Sequence, residues 1–149
     1  MIQLKKILVP TDGSGTSKAA MQYAMELAKS FKASITIVMV ADDRYLDWMG
    51  PAYFSSSMLD EIESNTLEQA KKSLQEFWPD SADSTVEIKT LVIKGNPVEE
   101  IIEFVGREQM DMIVMGTHGR TGVSHMMIGS VAEKVVRLSP CPVLTVKSH

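Results

Sequence analysis

The sequence predicts an α/β fold, a parallel sheet doubly wound by helices on both of its faces. Three observations carry that expectation. Short β-branched apolar runs alternate with stretches of helical periodicity, giving the order β-α-β-α-β-α-β-α-β. One run, residues 112–115, is wholly apolar, as a strand covered on both faces must be. Asn96-Pro97, directly after a strand-like run, is a strong helix start.

Taken in order, residues 4–10 hold the run Ile7-Leu8-Val9, a candidate buried strand. Thr11-Asp12-Gly13-Ser14-Gly15-Thr16-Ser17 is a turn cluster rich in helix caps. Ala20, Tyr23, Ala24, Leu27 and Phe31 then recur at three- and four-residue steps, the apolar face of a helix. Residues 34–40 read as a second strand. Residues 41–56 have no clear period and contain Gly50 and Pro51, so a long loop is expected there, of the kind that carries function or mobility. Leu59, Ile62, Leu67, Ala70, Leu74 and Phe77 spell a second long helix, stopped at Pro79. Residues 86–93 form a third strand whose polar first half suits a sheet edge.

Asn96 as cap, Pro97 at the first position and Glu99-Glu100 in the first turn open a helix that turns Val98, Ile101, Ile102 and Val105 inward and ends near Gly106. The apolar strand 112–115 is followed by a loop over 116–127. Ile128, Val131, Ala132, Val135 and Leu138 mark the last helix. Pro140-Cys141-Pro142 then forces extended backbone into a final strand, residues 143–146.

At 149 residues, 44% hydrophobic and 23% charged, the chain suits one globular domain and excludes a disordered or fibrous protein. The net charge of −4 is interspersed, which leaves no basic field for nucleic acid. The lone Cys141 excludes an internal disulfide or a cysteine metal cluster. The opening residues lack a signal peptide's apolar stretch, and no run approaches the ~20 apolar residues that span a bilayer. A reduced, cytoplasmic protein without nucleic-acid or membrane partners is expected.

In doubly wound folds, ligands sit beyond the carboxyl ends of the strands, which directs attention to the loops after strands one and four. The segment from Gly116 to Val131 leaves the apolar strand and re-enters a helix at Gly129-Ser130. Its glycines allow close approach, and free N–H groups at a helix start form an anion site. A phosphate-binding loop is one reading; an ordinary glycine-rich loop that merely caps a helix is the other. No G-x-x-x-x-G-K-[ST] exists, and the dinucleotide fingerprint begun by Gly13-Ser14-Gly15 fails at Lys18.

Gly116, Gly119, Gly129 and Ser130 stand in the spacing G-x2-G-x9-G-[S/T]. That spacing resembles the ATP-binding signature of the universal stress proteins. The likeness runs through Ile7-Leu8-Val9-Pro10-Thr11-Asp12-Gly13-Ser14, Ile113-Val114-Met115-Gly116-Thr117-His118-Gly119 and Ser139-Pro140-Cys141-Pro142-Val143-Leu144.

The resemblance implies a Rossmann-like, adenine nucleotide alpha hydrolase-like fold with five parallel strands in the order 3-2-1-4-5, a homodimer, and membership of the ATP-binding branch. It places Pro10, Thr11 and Asp12 beside the nucleotide, with Asp12 facing the ribose or a phosphate-bound Mg²⁺. Asp12 as a helix cap is the competing reading. Val40 matches the adenine-side contact and also reads as plain core. Met115, Gly116, Gly119, Arg120, Gly129, Ser130 and Val131 match positions around ribose and phosphates. Ala132 departs from the pattern, since some members carry a hydroxyl there.

The remaining features take plainer readings. The methionines near the loop are core fillers, Cys141 packs, and His118 is a solvated loop histidine, with pairing to an anionic oxygen as the alternative. Trp48 and Tyr53 suit a nucleotide lid and a partner surface equally. A receiver domain would want an acidic pair after strand one, where Pro10-Thr11-Asp12 stands, and a hydrolase would want G-x-S-x-G. Without a Walker lysine, the expected role is ATP as a conformational ligand with slow or no hydrolysis, at most a slow ATPase. The alternative is a dimeric interaction module that binds no nucleotide. The apolar alternation of residues 143–146, an edge strand, suits pairing with a second copy in either case.

Overall fold

Period-two alternation sends neighbouring side chains of a strand to opposite faces, so an apolar strand feeds two cores at once. The computed structural model describes residues 1–42, 44–78, 85–118 and 129–147. Its elements are β1 (Lys6–Pro10), α1 (Gly15–Phe31), β2 (Ser34–Ala41), α2 (Tyr45–Met49), a 3-10 turn (Pro51–Tyr53), α3 (Ser56–Phe77), β3 (Ile88–Lys94), α4 (Pro97–Glu108), β4 (Met112–Gly116), α5 (Ser130–Leu138) and β5 (Val143–Val146). The strands form one five-stranded sheet in the order β3-β2-β1-β4-β5. Every pairing is parallel.

In β1, Ile7 and Val9 join a core with Ala20, Met21, Ala24 and Ala28 of α1 and with Leu74 and Phe77 of α3. Leu8, between them, joins the opposite core with Ile101, Phe104 and Val105 of α4 and Ala132 and Val135 of α5. Small residues at Ala20, Ala24 and Ala28, all fully or almost fully buried, let α1 lie close against the sheet.

The strand ladders run one residue past the strands into the loops that matter. Thr11 N–H donates to Val38 O at 2.9 Å, Gly95 N–H to Ala41 O at 3.0 Å, and Thr117 N–H to Val146 O at 3.0 Å. The carboxyl ends of the strands are therefore pinned, and with them the start of each loop. At the opposite end of the sheet, Asp111 Oδ2 accepts from the N–H groups of Lys5 and Lys6 at 2.8 and 2.9 Å.

Three helix starts follow the expected capping chemistry. Ser14 Oγ accepts from Ser17 N–H at 3.4 Å, Ser55 Oγ from Met58 N–H at 3.3 Å, and Asn96 Oδ1 from Val98 N–H at 3.0 Å. The order and parallel pairing expected for the sheet are as observed, and β3 and β5 are its edges.

Several boundaries differ from expectation. The stretch 41–56 is not a plain loop: it holds α2 and the 3-10 turn, each too short to show a period, and Ser55 caps α3 rather than belonging to a loop. Helix α4 passes through Gly106 and stops only at Gln109, in the left-handed region with φ 51°. A glycine weakens a helix by about 1 kcal/mol but does not end it when the flanking turns are packed. Helix α3 ends at Phe77 with Trp78 N–H on Leu74 O; Pro79 and Ile128 lie outside the described residues.

Gly116 closes β4 against α1. A Cβ there would stand 2.7 Å from Thr16 Cγ2 and 3.0 Å from the Thr16 carbonyl carbon, closer than real contacts allow. Gly116→Ala is therefore expected to destabilise the fold by about 1–3 kcal/mol. Adding Thr16→Ser, which removes the nearer methyl, should return part of the loss; urea denaturation of both variants checks this. Asn96→Ala is expected to cost about 1 kcal/mol in the same assay.

Candidate functional site

The chain winds from β1 outward to β3, then returns to place β4 on the other side of β1. Between β1 and β4 the winding reverses, and the helices that follow the two strands, α1 and α5, pack on opposite faces of the sheet. A cavity of roughly 280 Å³ opens there, near the small end of ligand pockets, which span about 300–1,000 Å³.

Pro10, Thr11 and Asp12 bring the end of β1 to the cavity, and Val40 that of β2. Met115 and Gly116 end β4 on it, and Gly129, Ser130 and Val131 bring the start of α5. These are the residues expected from the sequence, apart from Gly119 and Arg120, which lie outside the described residues.

Others line the cavity without having been singled out: Ser17 from α1, Pro97 and Ile101 from α4, Val38 and Thr117. Only the packing of α4 beside α5 puts Pro97 and Ile101 there, and nothing local in the sequence announces it. Ser17, by contrast, was legible as part of the turn cluster after β1.

The floor is apolar. Val40 packs against the core formed by α4 and α5, as its core reading expects, and also lines the cavity. Met115 and Ala132 are buried members of that same core. A hydroxyl at 132 would have to be placed among apolar side chains, which gives the departure at this position a packing reason.

Polar groups gather at two edges. At the first, Asp12 Oδ1 accepts from Ser14 N–H at 2.9 Å and from Ser17 Oγ at 3.1 Å. Thr11 Oγ1 accepts from Gly13 N–H at 3.0 Å, and Gly13 takes φ 80°, where glycine is the natural residue. The cap of α1 is Ser14, so Asp12 braces the turn rather than capping the helix.

The second edge is the start of α5. An α-helix leaves its first N–H groups without internal partners. Here the cap residue is Gly129, and among the described residues no side-chain cap bond to them is seen. Glu133 N–H on Gly129 O, at 3.0 Å, is the first bond of the helix. Gly129 N–H donates to Thr117 O, which ties the two ends of the intervening segment together. The backbone of Gly129 lies at φ −60° and ψ 154°, a conformation open to any residue.

His118 is not the solvated histidine expected. Its Nδ1 pairs with Thr117 Oγ1 at 2.8 Å, and its Nε2 is buried without a hydrogen-bond partner among the described residues. Apart from this imidazole and the Asp12 carboxylate, no ionisable side chain among the described residues lines the cavity. Among the described residues, the groups at the cavity suited to an anion are the backbone N–H groups at the positive end of α5. In the adjoining groove, Asp42 is gripped by Arg44 through Nε–H on Oδ1 at 2.8 Å and a second contact on Oδ2, and these hydrogen bonds hold its carboxyl below the usual carboxylate range.

The Universal stress protein family model matches residues 3–147. Universal stress protein MJ0531 of Methanocaldococcus jannaschii is 38% identical over 146 residues, covering 96% of this chain and 82% of that one. Universal stress protein MJ0577 of the same organism is 32% identical over 157 residues, covering 98% of this chain and 96% of the relative. The solved structure of MJ0577 superposes with a TM-score of 0.82 at 30% identity, over 99% of each chain. A universal stress protein solved in complex with cAMP matches with a TM-score of 0.57 at 25% identity, over 95% of each chain. A match from residue 3 to residue 147, with relatives aligned along nearly their whole length, means that the chain belongs to the universal stress protein family.

Proposed function

We propose that this protein binds ATP in the cavity between β1 and β4, and that the nucleotide acts as a conformational ligand with slow or no hydrolysis. One observation carries the reading: α5 starts on a glycine, with no side-chain cap on its first N–H groups among the described residues, at a cavity placed where strand order reverses. The cAMP complex of a relative at 25% identity supports an adenine nucleotide as the ligand class.

On this reading, Val40 lies on the adenine side and Asp12, with Pro10 and Thr11, faces the ribose. Met115, Gly116, Gly119, Arg120, Gly129, Ser130 and Val131 surround ribose and phosphates, with main-chain N–H groups of α5 taking the phosphate charge. For Mg²⁺, the described residues include no cluster of three His, Cys, Asp or Glu, and Asp12 Oδ1 already carries two donors. A Mg²⁺ beside Asp12 would take most of its six oxygens from phosphates and water, so we assign it no step.

Fast phosphoryl transfer asks for cations on the γ-phosphate and a positioned base. The described lining offers no lysine or arginine, and Asp12 is committed to bracing its turn. ATP can act as a switch only where two conformations bind it differently. We assign that difference to residues 41–56 and 117–127. Trp48 and Tyr53 are 92% and 82% exposed and do not line the cavity in this conformation.

The second copy of a homodimer would pair along β5, the sheet edge beside which Val136 and Leu138 of α5 are also exposed. No described helix is long and apolar enough to cross a membrane.

Mass spectrometry of small molecules released on denaturing the purified protein should find ATP near one per chain. No nucleotide, together with no thermal shift on adding Mg-ATP, would favour the interaction module instead. Gly129→Val should weaken ATP binding at least about tenfold while lowering the melting temperature by only a few degrees, because the backbone angles there suit valine although it is a poorer helix cap than glycine. Limited proteolysis should show residues 41–56 and 117–127 protected by ATP; identical cleavage with and without it removes the two-state element.

A further inference from the structure

We infer that Ser17 is a positioning residue: its buried hydroxyl fixes the Asp12 carboxylate in the orientation that accepts a hydrogen bond from a ribose hydroxyl. The inference deepens the nucleotide reading above and rests on it. Ser17 is 5% exposed and lines the cavity from the first turn of α1. Its Oγ stands 3.1 Å from Asp12 Oδ1 and 3.3 Å from Ser14 Oγ, and its N–H donates to Ser14 Oγ at 3.4 Å.

A carboxylate can only accept, so the proton in the first contact belongs to Ser17. A hydroxyl has one proton, and this one is spent on Asp12. The proton of the Ser14–Ser17 contact therefore comes from Ser14, which gives a directed chain from Ser14 Oγ through Ser17 Oγ to Asp12 Oδ1. Each donor in such a chain polarises the next.

Ser17 thus has nothing left to donate to a ligand, and it acts through Asp12. Ser14 N–H, at 2.9 Å, is the second donor on the same oxygen. Two donors arriving from different directions, one of them the Ser17 hydroxyl, hold Oδ1 in place. Two positive hydrogens on Oδ1 also make that oxygen a poor seat for a cation, while a carboxylate so held still accepts readily from a neutral hydroxyl.

The test compares ATP with dideoxy-ATP, which lacks both ribose hydroxyls, by titration calorimetry on the full chain. Wild type should prefer ATP by about tenfold or more, as expected for a hydrogen bond to a charged group. Asp12→Asn and Ser17→Ala should both bring that ratio to within about threefold, and dideoxy-ATP should bind Ser17→Ala as it binds wild type. Ser17→Cys, of similar volume but with a weak donor, should behave like Ser17→Ala and replaces it if the alanine variant does not fold.

A preserved ratio in both Ser17 variants overturns the inference, as does an equal loss of both ligands, which a merely structural serine would produce. A wild type that binds both ligands equally overturns it too while leaving the nucleotide reading intact. A wild type that binds neither overturns both.

Discussion

A helix cannot satisfy its own first N–H groups, and α5 begins on a residue that has no side chain to do it for them. The other long helices whose starts are described carry Ser14, Ser55 or Asn96 at that place, each accepting from the turn that follows. The contrast gives α5 a distinct character within one chain. Its positive end meets the cavity at Ser130 and Val131 with no side-chain cap among the described residues.

The rest of the architecture holds that end in place. The bond from Gly129 N–H to Thr117 O fastens the start of α5 to the residue after β4, and Thr117 is itself fastened to β5 through Val146 O. Gly116 lets β4 come against Thr16 of α1 so closely that no side chain would fit between them. Strand, helix start and turn are thus bound in one frame. The glycine at 116 answers first to helix–strand packing, whatever it also does for a ligand.

Across the cavity, the turn after β1 is built from hydroxyls and one carboxylate that satisfy one another. Thr11 accepts from Gly13, Asp12 from Ser14 and Ser17, and Ser14 caps α1. Such networks are rigid when complete. The cavity therefore has a preorganised polar wall, an apolar floor of Val40, Met115 and Ala132, and the start of α5 as a further edge. A long polar ligand with a flat apolar end and an anionic end matches that sequence of surfaces, which is why the nucleotide reading and the geometry agree.

By itself, the sequence determined the order of elements, the parallel doubly wound class, the capping residue Asn96, and through its glycine spacing the family. These are local or periodic properties: alternation within a strand, a three-to-four-residue helical step, and the chemistry of one residue at a helix start. Tertiary structure alone decided what required distant segments to meet. Residues 45–53 were opaque because a helix of one turn is too short to show a period.

The course of α4 past Gly106 depended on packing that no single glycine reveals. Pro97 and Ile101 reach the cavity only because α4 lies beside α5, and the burial of His118 Nε2 is likewise a product of the fold. Local free-energy preferences are written residue by residue. Proximity across the sheet is a property of the whole chain, fixed when both faces are covered.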